Sequence, residues 1–140
     1  MRGRSQAREF ALQMLYQLDL RRGADARQIL DEFWQEQRAP EEIKAYANQL
    51  FSGTAEALPS IDPMIAGFAN NWDMKRMAVI DRNILRLGAY ELLHVAEVPP
   101  KVCLNEAIEL AKRYGDAESS KFINGILDTI HKTHARPAVS

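Results

Sequence analysis

The chain has 140 residues, 46% hydrophobic and 26% charged, the make-up of one ordinary globular domain and far from disordered or collagen-like compositions. It contains no run of 18 or more apolar residues and no hydrophobic stretch behind its basic N-terminus, so the expectation is a cytoplasmic protein with no membrane span. The net charge of −1 conceals a polarised distribution: five arginines face only Glu9 and Asp19 in residues 1–22, whereas residues 25–62 carry eight acids against Arg27, Arg38 and Lys44.

In chain order, the first element follows from Ala7, Phe10, Ala11, Met14, Leu15 and Leu18, which recur at three- and four-residue steps, with Gly23 placed to close the helix. A second helix is expected from about Asp25 to Gln37. Pro40, followed by Glu41 and Glu42, opens a third that runs to about Leu58. Pro59 and Pro63 bracket a restart carrying Met64, Ile65 and Phe68, which ends near Asn70 and Asn71.

After a polar stretch from Asp73 to Arg76, the segment from about Met77 to Val95 is apolar around most of its circumference and belongs at the centre of the fold. Gly88 inside it implies a close helix crossing, since glycine there costs about 1 kcal/mol relative to alanine. Pro99 and Pro100 end that element. Leu104, Ala107, Ile108 and Ala111 form the next stripe, closed by Gly115. Phe122, Ile123, Ile126, Leu127 and Ile130 mark the last helix, beyond which Pro137 and the tail fray. Asn124-Gly125 would suit a hairpin turn, but its neighbours repeat at helical spacing. The fold class is therefore all-α, with about seven helices in two packed small bundles, residues 1–71 and 72–140, hinged near Asn71.

No Gly-rich phosphate loop, GxSxG elbow or Cys/His pair can be assembled. Cys103 is the sole cysteine, which excludes an internal disulfide and any CxxC site. His131 and His134 lack a third ligand at metal-binding spacing. The sequence accordingly nominates no catalytic residue, metal site or cofactor, and points to binding. The first eight residues hold Arg2, Arg4 and Arg8 with no acid, a candidate contact for a polyanion. Around the first helix, Tyr16 falls about 170° from the apolar centre, on the outer side with Glu9 and Leu12 and flanked by Arg8 and Gln13. That position suits either an aromatic platform for single-stranded RNA or packing against a second layer of helices.

Four stretches carry a family resemblance: Ala7-Arg8-Glu9 with Leu15-Tyr16; Asn83-Ile84-Leu85-Arg86-Leu87 with Ala89-Tyr90-Glu91-Leu92; Val98-Pro99-Pro100-Lys101-Val102 leading into Asn105-Glu106-Ala107-Ile108-Glu109-Leu110-Ala111-Lys112; and Lys121-Phe122-Ile123-Asn124-Gly125-Ile126-Leu127-Asp128. Together they resemble the NusB family of bacterial transcription antitermination proteins. The C-terminal half also resembles a module of ribosomal RNA cytosine methyltransferases, which carry a long catalytic domain after it. With the chain ending at Ser140, the free-standing protein is the expectation.

The resemblance implies a non-enzymatic, cofactor-free protein of two small helical bundles. It also implies pairing with the ribosomal protein NusE, binding of single-stranded boxA RNA in nascent transcripts of ribosomal RNA operons, and entry into a complex with other Nus factors and RNA polymerase. Carried over by position, it assigns RNA contacts to Arg2, Arg4, Arg8, Gln13, Tyr16, Glu118, Lys121 and Phe122, and a NusE contact to Asp81. Ser5, Gln6 and Ala7 replace the run of arginines common in the family's tail, which lowers the nonspecific electrostatic share of binding. Phe122 also opens the last apolar stripe and so has a core reading, and Asp81 has an alternative reading as a surface acid near Arg82 and Arg86. A helical adaptor that binds no RNA and a homodimer are the competing readings of the same surfaces.

Overall fold

In the computed structural model of the chain the described residues are 2–70 and 73–134, Arg2 by its backbone only. The expected hinge at Asn71, the fraying at Pro137 and the Arg2 side chain lie outside them. Among the described residues there are six α-helices and one short 3-10 turn: α1 (Arg2–Leu20), α2 (Ala26–Glu36), α3 (Glu41–Phe68), the turn Met74–Arg76, α4 (Val79–His94), α5 (Pro100–Tyr114) and α6 (Ser119–Thr133). No strand occurs among the described residues, in line with the all-α expectation. The residues group into two compact units, 1–56 and 57–140.

In the first unit, α1 buries Ala7, Phe10, Ala11, Met14 and Leu15 of the stripe read from the sequence, and leaves its last member, Leu18, half-buried. The basic tail is part of this helix and not an extension before it, and Gly3 sits where an added Cβ would lie 3.5 Å from Ile43 Cγ1. Contact with α3 thus carries the helix to its start. Gly23 holds φ at +85°, a left-handed conformation that side chains with a Cβ avoid, and so permits the reversal into α2. The Asp25 carboxylate caps α2 by accepting from the Gln28 N–H at 2.8 Å. Phe10, Phe33 and Trp34 meet edge to face, and the Trp34 indole N–H donates to Asn48 Oδ1 at 2.6 Å.

The expected break at Leu58 does not occur, because α3 runs through both Pro59 and Pro63. Each proline removes an N–H and crowds the carbonyl four residues earlier. Spaced by four, the two sit on one exposed side of the helix, where the freed carbonyls can turn to water, while Ile61 and Ile65 are fully buried on another side. Burial of the isoleucines outweighs the local preference to stop. The helix ends where Asn70 adopts φ of +55°.

In the second unit, α4 is the central element expected from its sequence, with Ile84, Leu85, Leu87, Ala89 and Leu92 buried between α5 and α6. The close crossing inferred at Gly88 is present: a Cβ there would lie 2.8 Å from Leu127 Cδ1 and 3.4 Å from Ala107 Cβ. Pro100 occupies the first turn of α5, where its missing N–H costs nothing. Asn124 and Gly125 lie inside α6, so helical periodicity overrides the hairpin dipeptide.

Candidate nucleic-acid and partner interface

Within residues 1–56, the expected RNA residues divide into exposed and enclosed groups. Gln13 is exposed, and Tyr16 is 39% exposed, as the helical wheel predicts for its outer side. Leu12, which the wheel puts on that outer side, is 1% exposed, and Arg8, expected on its flank as an RNA contact, is 3% exposed. Helix α1 is therefore enclosed over more than its single apolar stripe. The Arg8 guanidinium lies 5.8 Å from the centroid of the Tyr46 ring, and that of Arg4, one turn earlier and only half-buried, lies 4.7 Å from the same centroid. Tyr46 went unremarked in the sequence because nothing local links it to the arginines.

Within residues 57–140, Asp81, Asp116, Glu118, Ser119, Lys121 and Phe122 line one open groove of about 520 Å³. The structure thus brings the acid assigned to NusE together with three residues assigned to RNA. Local sequence builds the rim. Gly115 ends α5 at a point where a Cβ would come within 2.8 Å of the Ala111 carbonyl oxygen. The chain then turns into α6: the Asp116 N–H donates to Ser119 Oγ at 3.0 Å, and the Glu118 N–H donates to Asp116 Oδ1 at 2.9 Å. Glu118 and Lys121 are exposed at the start of α6, and Phe122 is half-buried, neither wholly core nor free. Asp116 and Ser119 were missed; the run from Gly115 to Ser119, a glycine stop followed by capping residues, was the available signal.

Asp81 is 9% exposed, which overturns its reading as a surface acid. Its nominal neighbours are engaged elsewhere: Arg82 Nη1 donates to the Met74 carbonyl at 2.9 Å, and Arg86 grips Asp62 through two 2.8 Å hydrogen bonds. Asp81 Oδ1 is buried without a hydrogen-bond partner. Burial pushes the carboxyl's pKa up, a hydrogen bond with Ser119 draws it part of the way back, and the nearby Asp116 charge raises it again. An acceptor left unsatisfied in a groove is complementary to a donor supplied from outside.

Among the described residues no cluster of three His, Cys, Asp or Glu side chains is placed to hold a metal ion, and no helix is long and apolar enough to cross a membrane.

These features define a class: a small all-helical protein whose polar side chains gather on open surface grooves. The chain belongs to the NusB family, whose model matches residues 5–132. It is 46% identical over 136 residues to the transcription antitermination protein NusB of Sorangium cellulosum, covering 97% of this chain and 96% of that one. Among solved structures, T. maritima NusB is 41% identical with a TM-score of 0.88, covering 95% of this chain and 93% of that one. A complex of the antitermination factors NusB and NusE with double-stranded RNA includes a chain 30% identical with a TM-score of 0.85, covering 95% of this chain and 98% of that one. The family is one of transcription antitermination factors and not of enzymes.

Proposed function

We propose that this protein pairs with a NusE-type ribosomal protein, binds single-stranded boxA RNA in nascent ribosomal RNA transcripts, and joins other Nus factors on RNA polymerase in the cytoplasm. The observation that carries the reading is the likeness, along nearly the whole chain, to a NusB solved with NusE and double-stranded RNA. In residues 1–56 the reading assigns RNA contacts to Arg2, Arg4, Gln13 and Tyr16, with Arg8 acting from behind the surface. In residues 57–140 it assigns Lys121, Phe122 and Glu118 to RNA, and the unsatisfied Asp81 carboxylate to a donor on NusE.

The test is a titration of the purified chain, alone and with NusE, against a boxA-like strand, a scrambled strand and the boxA strand annealed to its complement. Complex mass is followed by light scattering and affinity by fluorescence anisotropy. A ternary complex with tightest binding to the boxA single strand is expected. Equal affinity for boxA and scrambled strands overturns the RNA assignment, and a preference for the duplex overturns its single-stranded part. Asp81→Lys should weaken pairing with NusE far more than it weakens RNA binding by the isolated chain, since a like charge across an interface costs several kcal/mol, with circular dichroism checking that the variant keeps its fold. Retained pairing removes Asp81 from that interface.

A further inference from the structure

We infer that Tyr46 is a positioning residue for RNA, its ring holding the Arg4 guanidinium ready for a backbone phosphate. The inference rests on the proposed RNA role of the arginines and adds a residue that neither the sequence motifs nor the family match brings forward. Tyr46 is buried on α3, with the Arg4 guanidinium carbon 4.7 Å from its ring centroid and that of Arg8 5.8 Å away. Both separations fall within the range in which a guanidinium is attracted to the electron-rich face of an aromatic ring.

Attraction to the ring does not pair the guanidinium N–H groups with an acceptor and leaves them to be used. A phosphate is recognised through the edge that carries them, by two parallel hydrogen bonds in a fixed plane. Arg86 shows the contrast, because its edge is already closed by the Asp62 carboxylate. Among the described residues no carboxylate pairs with Arg4. Arg4 also borders an open groove of about 560 Å³ with Gly3, Ile43, Tyr46 and Gln49, so its edge can be reached. Glu42 lines the same groove and opposes an anion there. An arginine held by no ring must give up side-chain freedom when it binds. Held on Tyr46, Arg4 has lost much of that freedom in advance, which is preorganisation for binding.

The experiment uses the full chain and a boxA-like single-stranded oligoribonucleotide, with affinity measured from low to moderate salt for wild type, Tyr46→Phe, Tyr46→Leu, Arg4→Ala and the Tyr46→Leu/Arg4→Ala double variant. Tyr46→Phe keeps the ring face and should bind within about twofold of wild type. Tyr46→Leu and Arg4→Ala should each weaken binding about five- to tenfold and flatten the log-log salt dependence by roughly 0.7, the share of one phosphate on a single strand. The double variant should be no worse than either single, because the two residues act as one unit. In wild type, NMR should show the Arg4 Hδ and Hε protons shifted upfield by the ring current, a readout that requires neither RNA nor a substituted core. Arg4 protons at random-coil positions, a large loss with Tyr46→Phe, or additive losses in the double variant overturn the inference while leaving RNA binding intact. A wild-type chain with no salt-dependent RNA binding overturns both the inference and the function on which it rests, even with the ring-current shift present.

Discussion

Arg86 on α4 and Asp62 on α3 are joined by two hydrogen bonds of 2.8 Å, from Nε to Oδ1 and from Nη2 to Oδ2, and Arg86 Nη1 donates a third of 3.1 Å to Asn83 Oδ1. The Arg86 side chain is 12% exposed and that of Asp62 31%. This fork joins α4 to the stretch of α3 that holds both prolines, where the helix lacks two of its own donors. Arg86→Ala should lower unfolding free energy by about 1.5–3 kcal/mol, the range for hydrogen bonds to charged groups. Asp62→Asn should cost less because one fork contact survives. Urea denaturation of both singles and the double variant checks this, and strictly additive losses would remove the coupling inferred here.

Gly88 provides a second test of packing. A methyl group added there gains about 1 kcal/mol of helix propensity, yet it arrives 2.8 Å from Leu127 Cδ1. Overpacking of this kind costs about 1–3 kcal/mol. Gly88→Ala should therefore be near neutral to destabilising by about 2 kcal/mol, with Leu127 moving aside, and Gly88→Val should be worse because it also reaches toward Ala107. A stabilised Gly88→Val protein in thermal melts contradicts the crossing.

The buried Asp81 carboxyl gives stability a pH dependence of defined sign. Burial raises its pKa in the folded state, so the native protein binds that proton more tightly than the unfolded chain. Stability contributed by the protonated form is complete below the unfolded value of about 4 and declines as pH rises through the raised folded value. Asp81→Asn removes the ionisation and should make the protein more stable near pH 7 and abolish this part of the decline. Urea midpoints from pH 4 to 7 for both proteins measure it. An Asp81→Asn protein less stable at neutral pH, with the decline unchanged, would show that the carboxylate is satisfied in solution.

Tyr16 separates stacking from packing. At 39% exposure, Tyr16→Ala should leave stability within about 0.5 kcal/mol and weaken binding of a boxA-like strand by about 1–3 kcal/mol if a base stacks on the ring. Tyr16→Phe should retain most of the affinity. A folding loss of 3 kcal/mol or more with no RNA defect assigns the ring to the core.

The helical periods, the stop at Gly23, the central place of α4 and the crossing at Gly88 were legible in the sequence because each depends on spacing along one helix. So was the exposure of Tyr16. What one helix cannot encode is what lies against its other sides. The wheel therefore puts Leu12 on the outer side and Arg8 on its flank, although both are enclosed, and the prolines at 59 and 63 read as breaks where burial of Ile61 and Ile65 carries the helix through. The same limit applies to the candidate sites. Arg4, Lys121, Phe122 and Asp81 could be nominated from sequence, but the Tyr46 ring beneath Arg4 and the unsatisfied oxygen of Asp81 in its groove arise from residues distant in the chain. Local patterning determines which residues form helices and which faces are apolar. Tertiary packing alone decides which polar groups lose water and which are left with hydrogen-bonding capacity to offer a partner.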